Sequence, residues 1–330
     1  MKAIAPTFRR ALRTAVCTPV NRLLNLVDPP VVVLLYHRIT TLASDPEMLA
    51  VSPDNFRAQM QHLKDNFPIV RFEEDWAKAS KPAVAITFDD GYADNLLEAL
   101  PILEETGVPA TFFISTGTIG TGAEFWWHEL EHILLEKQSL PSSFTLSDKR
   151  YGRTWSTATD RERQELYNSI VRLMNAGTAA QRDLWLMQLH WWAGTKTTPV
   201  NIHRAMTVEE LRLLAESSRV TIGAHTVTHT RLSSLTVEAQ REEMTTSRQQ
   251  LETWLGQKIT VFSYPFGRRD EYTKESIALC RDVGFVKAAA NFNFPGQVHR
   301  WTDPYQIPRH LVRNWPVEMF ATQLRGFLTR

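Results

Sequence analysis

Two short polar patches, far apart in the chain, carry side chains that could bind a metal and activate water. Asp89 and Asp90 lie in the sequence TFDDGY, which ends an apolar run, and His225 and His229 lie in HTVTH, which ends another. Two imidazoles and one carboxylate suit a divalent metal that keeps open positions for water and substrate. The other carboxylate would then lie beside the metal, where metal-assisted hydrolysis needs a general base.

Other residues around these patches refine that hypothesis. Gly91 allows a sharp turn directly after the two aspartates, and His225 and His229 share a face if their segment is helical. A third patch, YPFG at positions 264–267, turns at the end of an apolar run. Its Phe266 N–H is a candidate donor for the oxyanion that develops in acyl transfer. Taken singly, the Asp pair is also compatible with a helix cap, and YPFG with an ordinary turn.

The composition excludes several classes of protein. The chain has 330 residues, 43% of them hydrophobic, and a formal net charge of +1. This is enough for a sizeable core and gives no overall field for binding nucleic acid. The two cysteines, Cys17 and Cys280, form neither a disulfide framework nor a zinc ribbon.

The first 28 residues form a basic leader, which contains five lysines and arginines and no acidic residue before Asp28. It has no apolar run of the length of a signal peptide or a transmembrane helix. The leader is either a basic interfacial helix that contacts the membrane peripherally or a solvated surface segment. We expect the protein to be cytoplasmic or peripheral on the cytoplasmic face of the membrane.

Short apolar runs alternate with helical patterns along most of the chain, which indicates a parallel α/β architecture. The chemical patches follow strand ends, and in a βα barrel those ends form the catalytic face. Thr207 and Glu210 make a capping-box pattern. The predicted strands are 31–36, 83–88, 110–115, 220–224, 260–264 and 285–289, and the predicted helices are 55–66, 93–106, 207–216, 237–255 and 274–283.

The segment from about 116 to 205 interrupts this alternation. It is predicted to be a helical insertion over the barrel mouth, with helices at 125–137, 160–175 and 179–193. It contains six of the ten tryptophans. These tryptophans either pack in a core or form a platform for a sugar or a lipid. The predicted organisation is thus a leader at 1–28 and one domain at 29–330 that contains the insertion.

The three patches, in this order, resemble the motifs of the polysaccharide deacetylase (NodB-homology, carbohydrate esterase) superfamily, over residues 31–312. The resemblance implies an α/β fold, namely a distorted (β/α)7 barrel. It also implies an enzyme that hydrolyses N-acetyl or O-acetyl groups on sugars. It makes Asp89 the general base and Phe266 the oxyanion donor. It also makes Asp90, His225 and His229 the ligands of a divalent metal, most often zinc.

The resemblance also suggests residues around the substrate. Tyr36-His37 is similar to a Tyr-His pair in deacetylases of exopolysaccharide pathways, so His37 is expected to bind substrate or to be a buried structural histidine. Tyr92, Tyr264 and Pro265, which belong to the motifs themselves, are further candidates for substrate binding.

Three departures from the family pattern concern catalysis. Ser263 stands where the family often has an arginine that pairs with the base, and Arg309 is expected to replace that arginine from another strand. The family's Leu-x-His, which supplies the general acid, is missing, and His310 is the nearest substitute. The later Asp-Trp motif is not recognisable.

Three alternatives remain beside an N-deacetylase of cell-surface polysaccharide or glycolipid synthesis. His128-Glu129-Leu130-Glu131-His132 fits H-E-x-x-H, the pattern of zinc metallopeptidases. A catalytically inactive, glycan-binding relative would explain the missing acid. A deacetylase or deformylase of a lipid-linked sugar would explain the basic leader.

Overall fold

The computed structural model describes Asn25 and residues 27–76, 80–137, 139–147, 152–195, 203–292 and 296–329. Except for Asn25, Val27 and Asp28, the predicted leader lies outside these residues, as does Cys17. Its membrane contact therefore stays a prediction. In the described part of the chain, no helix is long and apolar enough to span a bilayer.

A curled, all-parallel sheet of seven strands forms the framework, with the order β10-β9-β8-β5-β4-β1-β11. A parallel bridge between Ala289 and Ile307 links β10 to the segment that leads into β11. The α/β barrel expected from the sequence is therefore confirmed. The strands of this sheet are β1 Val31–Tyr36, β4 Ala83–Phe88, β5 Ala110–Ile114, β8 Val220–Ala224, β9 Val261–Ser263, β10 Lys287–Ala289 and β11 His310–Leu311; the pair β2 Arg38–Ile39 and β3 Ala50–Val51 lies apart from it.

Helices pack around this sheet, and the main hydrophobic core lies between the two. Residues of β1 and β4 are buried along their whole length, as expected for strands covered on both faces. The helices are α1 Pro53–Asn66, α2 Leu100–Thr106, α3 Trp126–Glu131, α4 Asp160–Ala176, α5 Ala179–Ala193, α6 Val208–Glu216, α7 Val237–Leu255, α8 Lys274–Val283 and α9 Val317–Thr329, with π-helical turns at Asn95–Ala99 and His132–Glu136.

Local signals in the sequence located most elements to within a few residues. Helices α7 and α8 begin and end at the predicted residues, and the capping box of Thr207 and Glu210 is present at α6. Gly107 ends α2 with φ at 73°, a conformation that glycine adopts without strain. The short strand β11 and the helix α9 were not among the predicted elements.

The segment at 116–205, which we call the insertion segment, is not purely helical as predicted. An antiparallel hairpin of β6 Ser143–Ser147 and β7 Gly152–Ser156 lies between α3 and α4. Exposed and buried residues alternate in β6, which is the period of a strand rather than a helix. A second hydrophobic cluster consists of residues of this segment, including Phe144, Trp155 and Leu189. Most of its tryptophans thus pack in a core.

Candidate active site

Asp89 and Asp90 follow β4 directly and face different partners. The Arg309 Nη1 and Nη2 atoms donate to the carboxylate of Asp89, each at 2.7 Å, and the Ser263 hydroxyl donates to it at 3.3 Å. Asp90 has φ at 79° and turns instead toward the two histidines. Gly91 continues the turn with φ at 94°, where a Cβ would meet Ile114 at 3.2 Å. The predicted sharp turn is present, and it separates the two carboxylates.

The expected pairing of Arg309 with Asp89 is confirmed. Arg309 is 1% exposed and also donates to the Ala290 carbonyl oxygen and the Ser263 hydroxyl, so its side chain lies inside the curve of the sheet. Burial raises the pKa of Asp89, but the charge of Arg309, its hydrogen bonds and the nearby His225 together outweigh burial and hold that pKa well below its usual range. Asp89 is therefore an ionised carboxylate in a fixed orientation.

Asp90, His225 and His229 form a compact set of ligand atoms. One ligand atom from each lies within 4.8 Å of the others, and this is the group that could hold a metal among the residues the structure describes. The Asp90 Oδ1 atom lies 3.3 Å from His229 Nε2 and 3.7 Å from His225 Nε2. The segment that carries the histidines is a bent loop rather than the helical turn considered from the sequence.

The chemistry of these donors fits a divalent cation. Asp90 Oδ1 is buried and has no hydrogen-bond partner in the described part of the chain. Burial and the charge of Asp89 raise the pKa of Asp90, and a cation beside it would offset both effects. Burial lowers the pKa of His225 and of His229, which keeps both imidazoles neutral, as ligands must be. His225 Nδ1 lies 2.7 Å from the Ser263 carbonyl oxygen, to which it must donate, so its Nε2 lone pair faces the site.

A cavity of about 300 Å³ opens above this group. Asp89 and Asp90 line it together with His225, His229 and Phe266. Phe266 has φ at 60°, and its N–H donates to no group in the described part of the chain. The remaining lining residues come from three regions: His37, Glu47 and Leu49 near β1 to β3; Trp126, Trp127, Val171 and Asn175 of the insertion segment; and Arg268, Glu271, Asn291, Leu311 and Arg313.

His37 lies on the cavity wall, where the first of its two expected roles, substrate binding, would place it. Its Nδ1 is buried without a hydrogen-bond partner in the described residues. Burial lowers the pKa of His37 to about 4, while Asp89 opposes that shift. The side chain is thus neutral at neutral pH, and it lies close enough to Asp89 for that carboxylate to affect its pKa.

The structure does not bring the expected acid, His310, to the cavity. Its Nε2 lies 2.8 Å from the Gly296 carbonyl oxygen, and its ring stacks on Phe327 of α9 at 4.0 Å. Successive residues of a strand face opposite sides. Since Arg309 and Leu311 face the interior, His310 between them faces the outer helix.

Three further expected substrate contacts, Tyr92, Tyr264 and Pro265, are buried outside the cavity lining. The Tyr92 hydroxyl accepts from the Trp127 indole N–H at 2.8 Å and lies 2.9 Å from His128 Nε2. Tyr264 stacks on Tyr272 and donates to the Tyr305 carbonyl oxygen. Tyr92 therefore supports the cavity wall through Trp127, and none of the three residues lines the cavity itself.

The H-E-x-x-H pattern does not form a metal site. His132 lies between Glu124 and Glu136, and these two carboxylates raise its pKa to about 9 against the effect of burial. Glu129 pairs with His190 at 3.0 Å. A protonated imidazole cannot bind a metal, and the glutamate that a metallopeptidase needs as a base is engaged elsewhere.

Sequence reasoning missed several residues that shape the site. Glu47 and Arg313 lie on the cavity wall, and Arg182 and Glu243 hold the loop of the two histidines. These are single charged residues without a motif around them, so the sequence offered no signal. Trp126 and Trp127 belonged to a recognised tryptophan-rich stretch, but their place at the cavity depended on the fold.

Comparison with known proteins agrees with this fold. The polysaccharide deacetylase family model matches residues 77–182 and 187–286, which is more than half of the chain. YxkH of Bacillus subtilis (strain 168), a protein named for this family, is 23% identical over 291 residues, covering 86% of this chain and 71% of that protein. Two solved structures are similar: BC0361, a polysaccharide deacetylase from Bacillus cereus, with a TM-score of 0.59, 19% identity and coverage of 90% and 69%, and a de-N-acetylase from Aggregatibacter actinomycetemcomitans, with a TM-score of 0.56, 15% identity and coverage of 90% and 99%.

The chain therefore belongs to the polysaccharide deacetylase family, a class of hydrolases that act on amide bonds. This confirms the resemblance read from the three motifs. Asp89, Asp90, His225, His229 and Phe266 lie within the matched residues, whereas His37 and Arg309 lie outside them.

Proposed function

We propose that this protein is a divalent-metal-dependent carbohydrate N-deacetylase. The observation that carries the proposal is the buried Asp90, His225 and His229 group beside the ionised Asp89 on the floor of a cavity. The name of the Aggregatibacter actinomycetemcomitans neighbour supports N-deacetylation over O-deacetylation. Zinc is the metal we expect, because two neutral imidazoles and one carboxylate form one of its common catalytic ligand sets.

The residues divide the chemical work in the following way. When bound by Asp90, His225 and His229, the metal would lower the pKa of water and polarise the acyl carbonyl. Asp89, which Arg309 holds in place, accepts the proton of the attacking water. The Phe266 N–H then donates a hydrogen bond to the developing oxyanion.

A proton must also reach the departing amine, and we assign this step to His37 in place of His310. His37 lies on the cavity wall, and its Nδ1 has no hydrogen-bond partner among the described residues, whereas His310 faces away from the cavity. Because His37 is neutral at rest, it must first receive the proton that it delivers. Asp89, which has taken a proton from water, is the neighbouring source.

We place the substrate among N-acetylated sugars of a cell-surface polysaccharide or a lipid-linked precursor. The indole rings of Trp126 and Trp127, together with the polar residues that also line the cavity, suit the faces and hydroxyl groups of a pyranose. The peripheral membrane contact through residues 1–28 is a separate proposal and rests on their basic sequence.

Acetate release and metal content, measured together, test the proposed function. The substrates are N-acetylated oligosaccharides, and the variants are Asp89→Asn and His225→Ala, with His62→Ala of α1 as the control. We expect His225→Ala to lose the metal, Asp89→Asn to retain it, and both to lose acetate release. If wild-type protein binds the metal but releases no acetate from any substrate, the inactive glycan-binding alternative gains support. Metal retained by His225→Ala would refute the site.

A further inference from the structure

Arg182 connects the insertion segment to the loop that carries the metal ligands. It lies on α5 and is 3% exposed. Its guanidinium donates to the backbone carbonyl oxygens of His229 at 3.1 Å and Thr228 at 2.6 Å, and to the Thr230 hydroxyl at 2.8 Å. A buried guanidinium is costly unless its donors find acceptors, and here the oxygens of three consecutive loop residues accept three of its hydrogen bonds.

The two histidines of the site are held in different ways. His225 Nδ1 donates to the Ser263 carbonyl oxygen, which fixes the orientation of its ring. His229 Nδ1 has no hydrogen-bond partner among the described residues. Metal-binding histidines usually donate their second N–H to an oxygen that orients the ring. His229 lacks that support, so its orientation must depend on its backbone and on its ring contacts with Trp127 and Phe266.

The backbone of this loop is itself strained. Thr226 and His229 have φ at 64° and 49°, in the left-handed region that is unfavourable for a residue with a Cβ. Glu243 of α7 accepts hydrogen bonds from the N–H groups of Val227 and Thr228 on one side of the loop. Arg182 holds the carbonyl groups on the other side. The strained conformation, which aims His229 at Asp90, therefore depends on groups outside the loop.

We propose that Arg182 is a positioning residue for the metal ligand His229, so that the insertion segment completes the metal site as well as one wall of the cavity. The inference rests on the proposed metal-dependent function, because it assigns the residue that orients one ligand of that metal. Loss of the Arg182 guanidinium frees the His229 carbonyl group. The strained loop then relaxes, and the His229 Nε2 atom moves away from Asp90.

Metal affinity tests this proposal without the need for a substrate. Metal-free wild type, Arg182→Met and Arg182→Lys are titrated with Zn²⁺ in competition with a chromophoric chelator. The matched control is Arg161→Met on α4, whose side chain is 88% exposed. We expect Arg182→Met to bind Zn²⁺ about 10- to 100-fold more weakly, the range found when a group that supports a metal ligand is removed. Lysine keeps the charge but loses the fork of donors, so Arg182→Lys is expected to fall between methionine and wild type.

The absorption spectrum of bound Co²⁺ distinguishes positioning of the ligand from simple attachment of the insertion segment. We expect the Co²⁺ bands to shift in Arg182→Met and to stay unchanged in Arg161→Met, while circular dichroism shows both variants folded. If Arg182→Met fails to fold, the affinity and Co²⁺ spectrum of Arg182→Lys decide. Zn²⁺ affinity within twofold of wild type, with an unchanged Co²⁺ spectrum, would overturn this inference alone. Wild-type protein that binds no divalent metal would overturn the proposed function as well.

Discussion

At the scale of single residues, the pairing of Arg309 with Asp89 is the central interaction of the site. The family often places this arginine at the position of Ser263, and this chain supplies it from the residue before β11. The bidentate geometry, 2.7 Å on each side, is the same kind of contact reached from a different strand. The chemistry requires a guanidinium beside the carboxylate of Asp89, and more than one backbone position can supply it.

We expect Arg309→Met to destabilise the protein strongly. Its removal leaves Asp89 as an uncompensated buried charge, which costs about 3–5 kcal/mol. Urea unfolding of the metal-free protein measures this loss, with Arg300→Met, a half-exposed arginine that pairs with Asp28, as the control. Adding Asp89→Asn to Arg309→Met should recover part of the stability, because it removes the unpaired charge. A double variant less stable than Arg309→Met would contradict this account.

At the scale of elements, the insertion segment shows how the H-E-x-x-H pattern can have a structural role. The α-helical turn that carries His128 continues as the π-helical turn His132–Glu136. There His132 Nε2 lies 3.3 Å from Glu124, and its Nδ1 contacts Glu136. His132 therefore links Glu124, near the start of the insertion segment, to Glu136 at the end of the π-helical turn.

This network predicts a pH dependence of stability. The folded-state pKa of His132, about 9, lies above its ordinary value of 6.5. Its stabilising contribution is therefore complete below pH 6.5 and is lost as the pH rises through about 9. We expect wild type to have a higher Tm than His132→Gln at pH 6 and this difference to shrink by pH 10. His62→Gln is the control, and a difference that stays constant from pH 6 to pH 10 would show that His132 does not carry the effect.

At the scale of the whole molecule, the cavity is assembled from regions that are distant in the sequence. The barrel supplies the floor, with the aspartates and histidines. The insertion segment supplies Trp126 and Trp127 to the cavity wall. The residues after β11 supply Arg313, and Glu47 before β3 lines the cavity as well. Arg313 donates to the Glu47 carbonyl oxygen at 3.1 Å, which joins the segment after β11 to the segment before β3.

We expect Trp126→Ala to raise KM about tenfold for an N-acetylated oligosaccharide, with kcat changed less than twofold. The expected loss corresponds to about 1.4 kcal/mol of binding free energy, within reach of one removed aromatic contact. Initial rates over a range of substrate concentrations separate the two constants. Trp191→Ala on α5, where the indole is 86% exposed and outside the cavity lining, is the matched control. Equal KM values for the two variants would exclude Trp126 from the substrate-binding surface.

The sequence alone determined the parts of this protein whose physical causes are local. Apolar runs located β1, β4 and β8, caps and glycines located the ends of α6 to α8, and two short motifs located Asp89, Asp90, His225 and His229. A strand or a cap depends on neighbours within a few residues, so its signal is contained in a short stretch of sequence. Metal ligands of a parallel barrel are also readable in this way, because they follow strand ends that meet on one face.

Only the tertiary structure decided which distant side chains complete the site. Arg309 and His310 are adjacent in the sequence, yet the alternation of β11 sends one to Asp89 and the other to α9. Arg182 contacts the loop of His229 because the insertion segment packs against the barrel. No local sequence pattern indicates a contact between residues so far apart in the chain. Side chains brought together by long-range packing leave no periodic signal. Their partners are therefore set by how the elements pack, which is decided only when the whole chain has folded.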